Sequence, residues 1–253
     1  MPRIARKNSQ SCFYHVIVQG INKEYIFDKE EYIRKYKEFI IKKLEGSPIN
    51  ILAYCIMNNH AHLLIYSESS EILGKYMQRV NTAFSRFYNN FNKRVGYVFR
   101  NRYYSQDILT QKQLYNCLRY IHNNPVKACI TKTMKEYKHS SYNEFLGKKE
   151  IINEESILLL FGVTKNFEEQ FNFIHSHTLI NEEEFMDVKE KEIYNFINEI
   201  EEKYKKPIKD IRTNRDMLEN TIMEARKQTD VTITQLAEIL DISKTTVWKY
   251  AKK

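Results

Sequence analysis

Two apolar runs, INILAYCIM (49–57) and HAHLLIY (60–66), are separated only by Asn58-Asn59. Asparagine pairs are turn residues, so the runs read as two strands of one antiparallel hairpin. The flanking sequence extends the pattern. SCFYHVIVQG (11–20) is β-branched and aromatic and closes on Gly20, which predicts another strand. Between it and the hairpin, Ile33, Tyr36, Ile40 and Leu44 recur at helical spacing. Asp28 and Glu31 have the spacing of a capping box for that helix, and Gly46 and Pro48 stop it. A second helix is predicted from about 70 to 92, on the stripe Ile72, Tyr76, Val80, Phe84, Phe87 and Phe91, with Gly96 breaking it. YVFRNRYYSQDIL (97–109) is extended again. The order β-α-β-β-α-β predicts an α+β fold, a ferredoxin-like sheet with its helices on one face. A further helix opens at Thr110 and Gln113 (again capping-box spacing), buries Leu114, Leu118 and Ile121, and is expected to end at Pro125.

The 253 residues suit one large domain or two ordinary ones, and only 6 Gly and 4 Pro exclude a long low-complexity chain. Residues 148–210 are rich in Glu, Asn and Lys and read as a helical connector. The expected domains are therefore 1–147, that connector, and a compact helical unit at 211–253. A net charge of +8 favours an acidic partner, nucleic acid or an anionic surface. No apolar run approaches the roughly 18 residues of a membrane span, and MPRIARKNSQ has no apolar stretch behind its arginines. A cytoplasmic protein with no membrane partner is expected. Cys12, Cys55, Cys117 and Cys129 show no Cys-x-x-Cys spacing and read as reduced, mostly buried thiols.

Side chains alternate along a strand, so His60 and His62 share one face while Ala61, Leu63 and Ile65 take the other. Read alone, the pair is either two hydrogen-bonded histidines in a hairpin or two nitrogens for one divalent ion. The helix at 111–124 bears on this choice. Tyr120 and Asn124 are four residues apart and share a face, whereas Leu118 lies about 200° around the helix from Tyr120. An amide oxygen beside two imidazoles suits Mg²⁺ or Mn²⁺ better than a thiolate-seeking ion. A tyrosine one turn away is then placed either to attack a phosphate or simply to pack. His122 points to another side of the helix. HSH at 175–177 repeats the spacing without a strand and reads as a solvated segment.

YCIMNNHAHLLI together with LRYIHNNPVKA resembles the single-tyrosine HUH transposases, in particular the REP-associated branch close to the IS200-like transposases. YHVIVQGINKEYIF and KHSSYNEFLG are similar to the same branch, so the resemblance spans residues 1–147. His139 departs from it, standing where relatives commonly carry Trp. The resemblance implies that His60, His62 and Asn124 bind a divalent cation, Mg²⁺ or Mn²⁺, and that Tyr120 is the nucleophile. It implies nicking and strand transfer on single-stranded DNA hairpins through a 5′-phosphotyrosine, by a monomer or a homodimer. The alternative is a domesticated regulator that binds hairpin and duplex DNA without cutting.

From Lys75 to Gln106 there are seven basic residues and no Asp or Glu. Within that stretch Arg79, Arg86, Arg100 and Arg102 are the expected phosphate contacts, with Tyr97, Phe99, Tyr103 and Tyr104 as stacking surfaces. Arg3, Arg6 and Lys7 are expected to form an arm onto DNA. TITQLAEILDISKTTVWKYAKK (232–253) reads as a helix-turn-helix: Ala237 at the tight crossing, Ile242 and Val247 in its core, Asp241 at the turn, and Ser243 capping a helix from Lys244. Thr245, Thr246 and Lys249 would then face duplex DNA.

Overall fold

A computed structural model describes residues 11–176, 196–197, 199–228, 233, 236–237, 240 and 242–251. The chain divides into two compact units, Met1–Ile180 and Asn181–Lys253.

The first unit is built on a four-stranded sheet of β1 (Phe13–Gln19), β2 (Ile49–Ile56), β3 (His60–Ser67) and β4 (Tyr104–Ile108), in the order β2-β3-β1-β4. Every neighbouring pair is antiparallel. Helix α1 (Glu30–Leu44) joins β1 to β2 and α2 (Ser70–Phe91) joins β3 to β4. The two helices pack on each other and on β2 and β3. Ala61, Leu63 and Ile65, on the strand face away from His62, are fully buried. Tyr76, Val80 and Phe84 of α2 are buried as their spacing predicts, each worth about 1.5–3 kcal/mol in apolar burial. Phe91, at the end of the stripe, is about half exposed and packs against the rings of Tyr32 and Phe87.

Ser69 caps α2 by accepting from the Ile72 amide, and Thr110 with Gln113 forms a complete capping box on α3 (Gln111–Lys127). The box expected at Asp28 and Glu31 does not form. The Phe27 amide is tied to the Asn58 carbonyl, and Ile26 and Phe27 are buried, so the chain enters α1 a residue later, at Lys29. Gly46, at φ +67°, takes the left-handed position that lets the chain leave α1. Pro125 does not end α3. It removes only its own amide from the last turn, and the Ala128 amide still reaches the Asn124 carbonyl. The extended segment expected over 97–109 is strand only from Tyr104. Before that, the chain is held by the Gly20–Phe99 bridge and by the Arg100 amide donating to the Gln19 carbonyl.

Two helices within the stretch read as a connector, α5 (Glu154–Phe161) and α6 (Glu168–Ser176), pack in the first unit. Ser156 Oγ donates to the Ile51 carbonyl of β2, and α6 lies against α3. With the short helix α4 (Tyr142–Leu146) they bury Phe145, Phe161, Phe167 and Phe171 in a stacked cluster. All four cysteines are free thiols: Cys55 and Cys117 are buried, and Cys129 is exposed rather than buried.

In the second unit residues 196–197 and 199–204 are helical, and α7 (Ile208–Ile211), α8 (Arg215–Gln228) and α9 (Lys244–Ala251) follow. Their core joins Ile211, Leu218, Ile222, Leu236, Ala237, Leu240, Val247 and Tyr250, with Ile242 partly buried beside it. Ser243 stands before α9, and its Oγ accepts from the Thr246 amide. Asp241 lies outside the described residues. Among the described residues no helix is long and apolar enough to cross a membrane.

Candidate functional site

His60 opens β3 at the hairpin turn, half-buried, and His62 lies two residues further on, fully buried. Their ring centroids are 4.8 Å apart, closer than the roughly 7 Å two-residue repeat of a strand, because the rings lean together. Helix α3 crosses the same side. The Tyr120 ring stands edge-on to His62 at 5.5 Å and is only 4% exposed. One turn later, the Asn124 Nδ2 donates to the Tyr120 carbonyl at 2.8 Å, which leaves Oδ1 as the amide's acceptor atom. Two strand histidines and the helix tyrosine thus gather within a single chain, with Asn124 beside the tyrosine.

Two further residues at this place escaped the sequence reading. His15 of β1 is fully buried, and its Nε2 lies 3.0 Å from His62 Nδ1. Its ring also meets Tyr120 edge-on at 5.7 Å. The signal was the alternation of YHVIVQ, which sends His15 and Ile17 to one face; only the β1–β3 register, with Ile17 opposite His62, shows that the face is shared. Lys127 is the other, its Nζ 5.1 Å from the Tyr120 ring centroid. It lies seven residues, two turns, past Tyr120 on the same helix.

Burial lowers the His15 pKa to about 3 and, with His60 as the next cause, holds His62 well below its usual value. Both rings are neutral near pH 7, the form that can ligate a metal. His62 Nε2 is buried and has no hydrogen-bond partner among the described residues. Among those residues no group of three His, Cys, Asp or Glu side chains is arranged so that it could hold a metal ion. A divalent ion here would therefore need a donor of another kind, and the Asn124 amide oxygen suits Mg²⁺ or Mn²⁺. The side chains present fit such an ion.

The other expected contacts are dispersed. Arg79 and Arg86 are exposed on α2, while Arg100 and Arg102 are exposed in the segment before β4 rather than at its end. Tyr97 is 82% exposed, whereas Phe99 and Tyr103 are buried and cannot stack on bases. Arg3, Arg6 and Lys7 lie outside the described residues. On α9, Thr245 and Lys249 are exposed and Thr246 is half-buried. His139 rests against the Glu30 carboxylate at 3.3 Å.

His175 departs from the sequence reading, and its partner is His122. His122 is fully buried, its Nε2 2.8 Å from Ser141 Oγ and its Nδ1 2.8 Å from His175 Nε2. His175 is half-buried, stacked on His122, and not part of a solvated segment. His177 lies outside the described residues.

Residues 8–124 match the family described as "Transposase IS200 like". A "Putative REP-associated tyrosine transposase" of Haemophilus influenzae is 28% identical over 153 residues, 56% of this chain and 85% of that protein. Among solved structures, "Structure of the REP associates tyrosine transposase bound to a REP hairpin" has a similar fold, with a TM-score of 0.50 at 17% identity. That match covers 58% of this chain and 87% of that one.

Proposed function

We propose, on the match of residues 8–124 to the IS200-like transposase family, that this chain nicks and rejoins single-stranded DNA at hairpins, with Tyr120 as nucleophile. The observation that carries the reading is the meeting of the Tyr120 ring with His62 at 5.5 Å, beside His60, in one chain. The strand order β2-β3-β1-β4 with its two crossover helices supports reading the sheet as a ferredoxin-like scaffold.

In this reading His60, His62 and Asn124 hold a divalent cation, which, when bound, withdraws charge from a non-bridging phosphate oxygen. The Tyr120 Oη forms a bond to phosphorus as the bond to the DNA 3′-oxygen breaks, and that oxygen leaves as a 3′-hydroxyl with the phenolic proton. The 5′-phosphotyrosine keeps the bond energy, so a second 3′-hydroxyl can reverse the step without a nucleotide cofactor. Tight packing around Tyr120 fixes the attacking ring. Lys127 holds a positive charge over the Tyr120 ring, 5.1 Å from its centroid. Arg100, Arg102 and the exposed Tyr97 then serve the strand outside the reaction centre, with Arg79, Arg86, Arg3, Arg6 and Lys7 as further backbone contacts. We read α9, with its Ser243 cap, as the recognition helix of a helix-turn-helix that presents Thr245, Thr246 and Lys249 to duplex DNA.

The test is incubation with single-stranded hairpins and Mn²⁺, followed by a denaturing gel. A covalent protein–DNA adduct is expected, absent in Tyr120→Phe and His62→Ala. An adduct that persists in Tyr120→Phe refutes the assignment of the nucleophile. Hairpin binding with no adduct across diverse hairpins is the behaviour of a non-cutting regulator.

A further inference from the structure

Strand register decides which side chains flank the His60 and His62 imidazoles. Residues directly opposite one another in an antiparallel pair carry their side chains on the same face. Ile17 of β1 is opposite both His62 of β3 and Tyr104 of β4, so Tyr104, Ile17 and His62 form one row across the sheet. Strands lie roughly 4.7–4.9 Å apart, which sets the Tyr104 and His62 backbones about 10 Å from each other. Ile17 is buried, whereas Tyr104, on the edge strand, is 43% exposed. The next row repeats the arrangement with a cation. Gln19 is opposite His60, and Arg100 Nη1 comes to 3.5 Å from Gln19 Oε1. The carboxylate of β4, Asp107, alternates to the other face of the sheet, and β1 carries none. An exposed ring and a guanidinium therefore flank the two histidines on one face, with no acidic side chain of β1 or β4 between them.

We infer that Tyr104 is the stacking platform for the base of the nucleotide next to the phosphate held at His62 and Tyr120, with Arg100 on the adjoining phosphate. The inference rests on the proposed function for where the reacting phosphate lies; the row itself is a property of the sheet. An aromatic ring offers its π-face to any base, and strand alternation sends this ring to the side of the histidines. A base stacked on Tyr104 carries its sugar and phosphate over β1 toward His62. The ring thus orients the strand for attack without touching the reacting atoms, which makes Tyr104 a positioning residue. Tyr97 is more exposed, but it precedes the Gly20–Phe99 bridge, and among the described residues no strand pairing relates it to the histidines.

The test uses the full-length protein and DNA hairpins with single-stranded flanks, on which covalent adducts are scored first. In the wild type, iodouracil placed at one flanking position at a time should photo-crosslink to the peptide carrying Tyr104 from one nucleotide, the one beside the cut. In anisotropy titrations Tyr104→Ala should bind on the order of 10–100-fold more weakly, and Tyr104→Phe close to wild type. The salt slope should stay unchanged in both, because no charge is removed. An abasic site at the crosslinked nucleotide should weaken the wild type as much as Tyr104→Ala does and cost Tyr104→Ala nothing further. A ring that served only to cover Ile17 would not produce that coupling. A folded Tyr104→Ala that binds like wild type, or abasic penalties that add at every position, overturns the inference. So does a wild-type crosslink map that never reaches Tyr104, a result that needs no variant to fold. An adduct without the coupling removes Tyr104 and leaves the nicking reading intact, whereas the coupling without an adduct upholds the platform and removes the nicking.

Discussion

His122 and His175 form a chain of hydrogen bonds in which every proton is accounted for, and an added proton should break it. The Phe171 carbonyl, 2.7 Å from His175 Nδ1, can only accept, so that nitrogen carries the hydrogen. His175 Nε2 must then accept from His122 Nδ1–H, and His122 Nε2 from the Ser141 hydroxyl. Both imidazoles are neutral, and the chain ties α3 to the segment beside β2 and to α6. Burial lowers the His175 pKa to about 4 and holds His122 well below its usual value. An unfolded histidine takes up its proton near pH 6.5, the folded His175 only near 4. Between those values the unfolded chain binds more protons, so stability falls as pH falls from 6.5 toward 4 and is flat above, as far as this group is concerned. At pH 5 the His175 contribution amounts to about 2 kcal/mol of lost stability relative to pH 7. His175→Gln removes the titration, and its loss between pH 7 and 5 should be smaller by that amount. The only tryptophan, Trp248, is in the second unit, so pulse proteolysis in urea, with fragments of 11–176 read by mass spectrometry, is the assay of choice. An identical pH dependence in wild type and His175→Gln would falsify the account of a neutral, proton-counted chain.

Other perturbations reach different links. Glu144 accepts the amides of Glu150, Ile151 and Ile152 at 2.7–2.9 Å and the Tyr54 hydroxyl, so Glu144→Ala strands buried donors and should cost at least ~3 kcal/mol, read as a lower urea midpoint. Thr110→Ala removes half of the α3 capping box and should cost about 1 kcal/mol in the same assay. Leu240→Ala opens a cavity in the second unit worth about 2–5 kcal/mol, seen by Trp248 fluorescence, while proteolysis of 11–176 stays unchanged. Arg100→Ala and Arg102→Ala should each lower the salt slope of single-strand binding by about 0.7, and an unchanged slope would remove them from the DNA surface.

Features fixed by nearest neighbours along the chain were readable in the sequence. The Asn58-Asn59 hairpin, the alternation placing His60 and His62 on one face, the α2 stripe and the Thr110–Gln113 box each depend on residues within a turn or a strand of one another. Features decided across the sheet were not. A bulge in β2 between Ile51 and Ala53 shifts the strand by one residue and sets Cys55, not Tyr54, opposite His62. His15 joins the site only because β1 pairs with β3 in the observed register. The Asp28–Glu31 box is legible yet unmade, because the Phe27 amide is tied to a loop thirty-one residues away. Helices α5 and α6 lie in a stretch whose overall composition is polar, but Ile157, Phe161, Phe171 and Ile174 bury a cluster against elements the local pattern cannot see. Local hydrogen bonds and periodicity are encoded within a few residues, whereas strand register and the covering of a helix's second side are settled by the free energy of the whole packed unit.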